Sequence, residues 1–328
     1  MIYVIINDTH FGLRRSNGTS FAALEGLEAE QTRALAAAVT HANNIGAALI
    51  ILGDLFDSSK VSYSTLLKVW SILKDCAVPL YMVRGNHDLE KDRGQVSAFD
   101  LLCLMLGSPA VTEPLQLEPD CCILPHLDNQ NSFDSALAAI PGGTLLAHCN
   151  YDNPFAVYQD HSLNLSPEQA VKFDHVILGH EHNKRDLPGI DILGAPYPCQ
   201  IAECDITKGY HVWEGPGHEL ELQETYSPAG NYIEVDWHEL AAVPTAAKFI
   251  RVTGTADFHE GAEVIQLVAD LRKKHGAFFI TNSVTVNGIE LQAVEDAASS
   301  LDTFDALAMF WQLLKPETAE RIHEAVDA

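Results

Sequence analysis

Five short clusters in this 328-residue chain carry the side chains best suited to chemistry: Asp8-Thr9-His10, Gly53-Asp54-Leu55-Phe56-Asp57, Gly85-Asn86-His87-Asp88, His148, and Gly179-His180-Glu181-His182. Carboxylates, imidazoles and a carboxamide are the mixed oxygen and nitrogen donors that hold first-row transition metals rather than calcium. Each cluster falls where a strand-like apolar run gives way to a loop, and ligands of α/β sheets gather at the C-terminal ends of strands. An Asp-x-His at a strand exit sends both side chains to one site if i and i+2 share a face; His180 and His182 repeat the spacing. Glycines before Asp54, Asn86 and His180 permit tight turns that bring short side chains close to an ion. Taken alone, His148 reads as a hydrogen-bonded core histidine. All five clusters in order, each at a strand exit, have no such simple structural explanation. Asp57 and Asp88 carry two readings. Either is a carboxylate behind a site histidine, Asp57 for His10 or His87 and Asp88 for His87, or a turn-forming or helix-capping residue.

The elements that must position these clusters alternate. Strands are expected at residues 2–7, 48–53 and 79–84, with helices at 28–45, 63–76 and 95–106. Shorter strands follow at 121–124, 143–147, 175–178, 190–193 and 209–213, which predicts a second sheet packed face to face with the first. A turn-rich Glu214-Gly215-Pro216-Gly217 marks a boundary after Trp213. Beyond it, residues 248–254, 261–275 and 277–286 read as strand, helix and strand, a small β-α-β module within 214–290. The stretch 291–328 is expected to be a helical tail, two helices at 300–314 and 318–326 joined at Pro316. No internal repeat or low-complexity segment occurs.

Composition bounds the partners. There are 20 Lys and Arg against 45 Asp and Glu, a formal charge of -25, which argues against polycation-style binding to nucleic acid or anionic membrane. Residues 213–328 are the more acidic part, with 20 acidic and 7 basic residues. A hydrophobic fraction of 47% supports a large core. No apolar run approaches the roughly 20 residues needed to span a bilayer, and the N-terminus enters a strand-like run without a basic leader, so a cytoplasmic protein is expected. Seven cysteines without zinc-type spacing suit buried, reduced thiols.

The five clusters together resemble the calcineurin-like metallophosphoesterase superfamily over residues 2–213. The resemblance implies an αββα sandwich of two sheets with two divalent metal ions, manganese foremost, with iron or zinc also suitable. It places one ion on Asp8, His10, Asp54 and His182 and the other on Asp54, Asn86, His148 and His180, with Asp54 shared. Two-metal chemistry of this kind polarises a phosphoryl oxygen and activates water for in-line attack; His87 is then the expected proton donor or transition-state stabiliser.

Protein phosphatases of the superfamily carry Arg after Gly-Asp-x-x-Asp, where this chain has Ser58. Gly-Asp-Leu-Phe-Asp, with Phe11-Gly12 after Asp-x-His, looks more like the SbcD-type DNA repair and recombination exonucleases. That resemblance implies a capping domain after the catalytic domain and a helical grip on an SbcC-like ATPase. Leu301, Phe304, Leu307, Phe310, Trp311 and Leu314 form an apolar stripe that suits either such a partner or the protein's own core. A homodimer is also compatible with the resemblance, and the compact length allows a phage origin, with the host cytoplasm as location. Arg14, Arg15, Arg84, Lys184 and Arg185 lie within a few residues of the clusters, as phosphate contacts or as solvated surface charge. The expected activity is DNA nuclease, exonucleolytic and also cutting single strands. The alternatives are a phosphomonoesterase or cyclic-nucleotide phosphodiesterase of the same superfamily, and a non-catalytic subunit that recruits an ATPase.

Overall fold

The computed structural model describes residues 1–13, 21–90, 95–153 and 162–287. The expected tail helices, their apolar stripe, and Arg14 and Arg15 lie outside the described residues.

The chain begins with β1 (Tyr3–Ile6), α1 (Phe21–Ile45), β2 (Ala48–Leu52), α2 (Tyr63–Leu73), β3 (Leu80–Val83), α3 (Ala98–Leu106) and β4 (Ala110–Val111). It continues through β5 (Leu115–Glu118), β6 (Cys121–Leu124), α4 (Gln130–Ala139), β7 (Thr144–His148), β8 (Asn150–Tyr151), β9 (Asn164–Leu165) and α5 (Pro167–Ala170). Next come β10 (His175–Gly179), β11 (Arg185–Leu187), β12 (Ile190–Ile192), β13 (Lys208–Trp213) and β14 (Leu220–Tyr226). The last described part holds β15 (Tyr232–Asp236), β16 (Phe249–Thr253), β17 (Thr255–Asp257), α6 (Gly261–Lys274), β18 (Phe279–Asn282) and β19 (Thr285–Asn287).

Two six-stranded sheets result, in the orders β14-β13-β1-β2-β3-β4 and β11-β12-β10-β7-β6-β5. Alternation along β1 explains how they stack. Tyr3 and Ile5 face the second sheet, where they meet Cys121, Ile123, Leu146 and Ile177. Val4 and Ile6 face outward and are covered by Leu35, Ala38 and Val39 of α1 and by Val69 of α2. The second sheet is covered on its outer side by Phe133 and Leu137 of α4 and by Ala170 and Phe173. With both faces dry, the central strands read as continuous apolar runs. The fold is therefore an α/β, two-sheet αββα sandwich.

The first sheet does not stop at Trp213. Leu220–Tyr226 pairs antiparallel with Lys208–Trp213 along its length, so the first sheet continues past the turn at 214–217. Beyond it, β15, β16 and β18 form a parallel three-stranded sheet with α6 packed on it through Val264 and Val268. The expected β-α-β order is present, with Tyr232–Asp236 as an additional strand. This cap is seated on α1: Phe249, Phe278 and Phe279 pack with Ala23 and Leu27, and Lys248 Nζ reaches Glu30 Oε1 at 2.6 Å. A Cβ on Gly26 would stand 2.5 Å from the Phe278 ring, so the close approach requires glycine there.

His211 in β13 faces inward and is 1% exposed, with neither ring nitrogen hydrogen-bonded. Burial pushes its pKa down to about 4. The folded ring stays neutral where an unfolded one, near 6.5, takes up a proton. Stability from this residue is thus full above pH 6.5 and is lost as pH falls towards 4. We expect chemical denaturation at pH 5 to show stability on the order of 2 kcal/mol below that at pH 7.5 from this residue. His211→Leu should flatten that dependence, and an unchanged slope would refute the assignment.

Candidate metal centre

The donors converge at one end of the sandwich. Asp8 and His10 follow β1, Asp54 follows β2 and Asn86 follows β3, while His148 ends β7 and His180 follows β10 directly. Both sheets contribute, and the loops after β1 and β2 are laced together by Asp8 N–H to Gly53 O and His10 N–H to Asp54 O, each 3.1 Å.

The Asp-x-His pair is not placed by strand alternation, as the sequence suggested. Asp8 (φ 48°), His10 (φ 46°), Asp54 (φ 49°) and His180 (φ 89°) are four of the five non-glycine residues with positive φ among the described residues. Such strain clusters at functional sites, and Asp, Asn and His tolerate it better than most residues. The glycines serve close approach. A Cβ on Gly53 would lie 2.1 Å from His148 Nδ1, and one on Gly85 would lie 2.1 Å from Asp54 Oδ1.

Hydrogen bonds fix which ring nitrogens face inward. His148 Nδ1 donates to Leu52 O at 2.9 Å, so in the neutral ring Nε2 is a lone pair. That lone pair faces two further acceptors, Asn86 Oδ1 at 3.1 Å and Asp54 Oδ2 at 3.3 Å. His180 Nδ1 is 2.9 Å from the same Asn86 oxygen. On the other side, His182 Nδ1 donates to Glu203 Oε1 at 2.8 Å, leaving its Nε2 3.0 Å from His10 Nε2. His10 Nδ1 lies 3.3 Å from Asp57 Oδ1, and its Nε2 lies 3.9 Å from Asp8 Oδ1 and 3.8 Å from Asp54 Oδ2.

Acceptors facing acceptors in a dry interior require a cation between them. Asp8 Oδ1 is buried without a hydrogen-bond partner, which is a second mark of the same need. Without metal that need falls on a proton. Burial opposes charge on His148, yet the Asp54 carboxylate outweighs it and raises the ring to about 9. Burial and His148 together push His180 down to about 4. Asp8, His10 and His182 form one donor group and Asp54, His148 and His180 another, each within 4.8 Å. Asn86 completes the second, and the Asp54 carboxylate stands between them. The residues therefore fit two divalent ions.

Residues 1–184 match the calcineurin-like phosphoesterase family. The chain belongs to that family. It is accordingly a metal-dependent phosphoester hydrolase whose fold uses two divalent ions. The phosphoesterase is similar to a dimetal phosphatase from Danio rerio, with 14% identity over 68% of this chain and 97% of that one and a TM-score of 0.43. It is also similar to the TT1561 protein of Thermus thermophilus, with 13% identity, 69% and 99% coverage and a TM-score of 0.43. No curated protein matched the chain. No helix among the described residues is long and apolar enough to cross a membrane.

Around the phosphoesterase's donors the remaining residues divide. His87 N–H donates to Asp54 Oδ1 at 2.9 Å, and its Nδ1 donates to the main-chain carbonyl of Asp57 at 2.7 Å. Asp57 therefore holds His87 through its backbone carbonyl, while its carboxylate lies 3.3 Å from His10 Nδ1 without a hydrogen bond to it. Asp88 does not orient His87. Its buried carboxylate accepts from the backbone N–H groups of Gly85 (3.0 Å), Phe56 (3.2 Å) and Leu55 (3.4 Å), so it ties two site loops together. Burial, with Asp54 nearby, pushes Asp88 up to about 7. Of the basic residues, Lys184 is spent on Asp186 at 2.9 Å and Arg185 on Glu181 at 2.7 Å, while Arg84 reaches the His126 carbonyl at 3.5 Å.

Glu203 and Lys208 escaped the sequence reading. Glu203, 1% exposed, accepts from His182 Nδ1 and, through Oε2, from Cys199 N–H at 2.9 Å. Buried Lys208 sits 3.9 Å from that carboxylate and donates to His182 O at 2.6 Å. Burial opposes charge on both Glu203 and His182, but their mutual hydrogen bond holds Glu203 below the usual carboxylate range and His182 above the usual imidazole range. A carboxylate behind a metal-site imidazole fixes its tautomer and raises its basicity. Glu203→Gln keeps an acceptor for His182 while removing the charge. We expect about 10-fold weaker metal affinity, read by competition with a chelator, with activity restored at excess metal. Unchanged affinity would assign Glu203 to packing alone.

Proposed function

We propose that this phosphoesterase is a two-metal phosphodiesterase acting on DNA, of the SbcD exonuclease type. The observation that carries the reading is the shortage of cationic side chains around the metal centre. Position 58 is Ser where protein phosphatases of the superfamily carry Arg. Lys60, Lys184 and Arg185 are paired with Glu90, Asp186 and Glu181. A phosphomonoester approaches two negative charges near neutral pH, and of the described cations near the donors Arg84 alone makes no ion pair with a carboxylate, reaching only the His126 carbonyl. A phosphodiester carries one charge, which two metal ions and His87 suit. The cap seated on α1 adds support, since the SbcD resemblance implies a domain in that position.

A second reading, hydrolysis of a small diester such as a cyclic nucleotide, is favoured by the same ion pairs. Lys184 and Arg185 are spent within the chain rather than on a DNA backbone. The third reading, a non-catalytic subunit, sits poorly with converged donors. An SbcC-like ATPase gripped by residues 300–326 belongs to the leading proposal and is tested by co-purification.

The deciding experiment is a manganese-dependent time course on end-labelled single- and double-stranded DNA, with cyclic nucleotide as competitor. Progressive shortening from the ends, abolished by a chelator, is expected. Intact DNA alongside rapid hydrolysis of a cyclic nucleotide or a phosphomonoester would overturn the nuclease reading.

A further inference from the structure

The far end of the sandwich holds a cavity of about 830 Å³ between the two sheets, within the size range of small-molecule sites. It opens beside Thr144 and His175, the first residues of β7 and β10, whereas the metal centre lies past their last residues. Five residues of strand separate the two by about 13 Å. The cavity thus opens away from the metal donors and runs along the sheet towards Leu193 and Lys184 near the other end of β12 and β11.

Its lining breaks the sandwich's own pattern. Ile190 and Ile192 face the outer core, so Asp191 between them faces inward. Asp186 is its direct partner across the β11–β12 ladder. Like charges directly opposite on a sheet face are destabilising. Lys184 reaches Asp186 at 2.9 Å and His175 reaches Asp191 at 2.7 Å. Asp120, Asp174 and Glu219 add three more carboxylates around the space, against Lys184 as the only Lys or Arg in the lining. From the opposite sheet His211 lines the same cavity, buried, with both ring nitrogens unpartnered. A buried polar side chain without a partner in the chain calls for one from outside it. Held neutral by burial, the imidazole offers one N–H and one lone pair.

We propose that this cavity binds a small organic polycation, a diamine or polyamine. Its carboxylates are distributed around the space rather than focused on a point. Among the described residues, the donor groups tight enough for one metal ion all lie at or beside the catalytic centre, none here. A chain bearing several ammonium groups matches distributed carboxylates, and its N–H groups can donate to the His211 lone pair.

The test is calorimetric titration of the manganese-saturated full chain with spermidine and with 1,5-diaminopentane. One saturable site is expected. Asp191→Asn and His211→Leu should weaken it about tenfold or more, while Asp54→Asn, at the metal centre, should leave it unchanged. Asp186→Asn changes a carboxylate whose side chain is 61% exposed and so tests the site without threatening the fold; it should weaken binding several-fold. Absence of saturable binding, wild-type affinity in both Asp191→Asn and Asp186→Asn, loss of binding in Asp54→Asn, or displacement of the amine by equimolar magnesium would each overturn the proposal.

Discussion

Asp54→Asn is expected to reduce phosphodiester hydrolysis about a thousandfold or more and to lower the metal bound per chain. Asp54 is the carboxylate that stands between the two donor groups, 3.8 Å from His10 Nε2 and 3.3 Å from His148 Nε2. Burial would push its pKa up, but His148, followed by His10 and His87, holds it well below the usual carboxylate range. It is therefore charged at any working pH. Asparagine preserves the shape and an acceptor for His87 N–H, and removes only the charge that two cations would share. Stabilisation of transition-state charge by metal ions amounts to several kcal/mol, and about 4 kcal/mol corresponds to the thousandfold loss. Metal analysis of the purified variant and the end-labelled DNA assay check this together. A variant with two ions and ordinary turnover would disprove the shared-carboxylate assignment.

What the sequence made legible follows from physical scale. β1 and β2 were readable because both faces of each are buried, which leaves uninterrupted apolar runs. The candidate donors that converge in the structure were readable because each packs into a few residues at a strand exit. α4 was missed because it opens on polar Gln130-Asn131-Ser132; its signal was the Asn129 side chain capping Ser132 N–H. β14 was missed because Leu-Glu-Leu-Gln-Glu-Thr-Tyr is a charged edge strand lying beyond an apparent boundary. Glu203 and Lys208 reach His182 from 21 and 26 residues downstream, with no spacing rule to reveal them. Asp88 misled through adjacency: next to His87 in sequence, it turns back onto the N–H groups of the neighbouring loop. Local donor clusters are thus visible in sequence, whereas the groups that orient them are assembled by the fold.

His87→Ala should lower turnover by about 10²- to 10⁴-fold on DNA while leaving metal content intact, because His87 reaches the centre by its backbone N–H as well as its ring. The ring's Nδ1 is committed to the Asp57 carbonyl, so Nε2 is the atom left to face a substrate, and it donates a proton only when the ring is doubly protonated. A deoxyribose alkoxide leaves poorly without a proton; p-nitrophenolate leaves readily without one. If His87 supplies that proton, bis-p-nitrophenyl phosphate should lose far less activity than DNA does in the alanine variant. If instead the ring only stabilises charge on the phosphoryl oxygens, both substrates should fall by the same factor, since that charge develops with either leaving group. Measuring kcat for both substrates in wild type and His87→Ala separates the two roles, and equal losses would rule out proton donation.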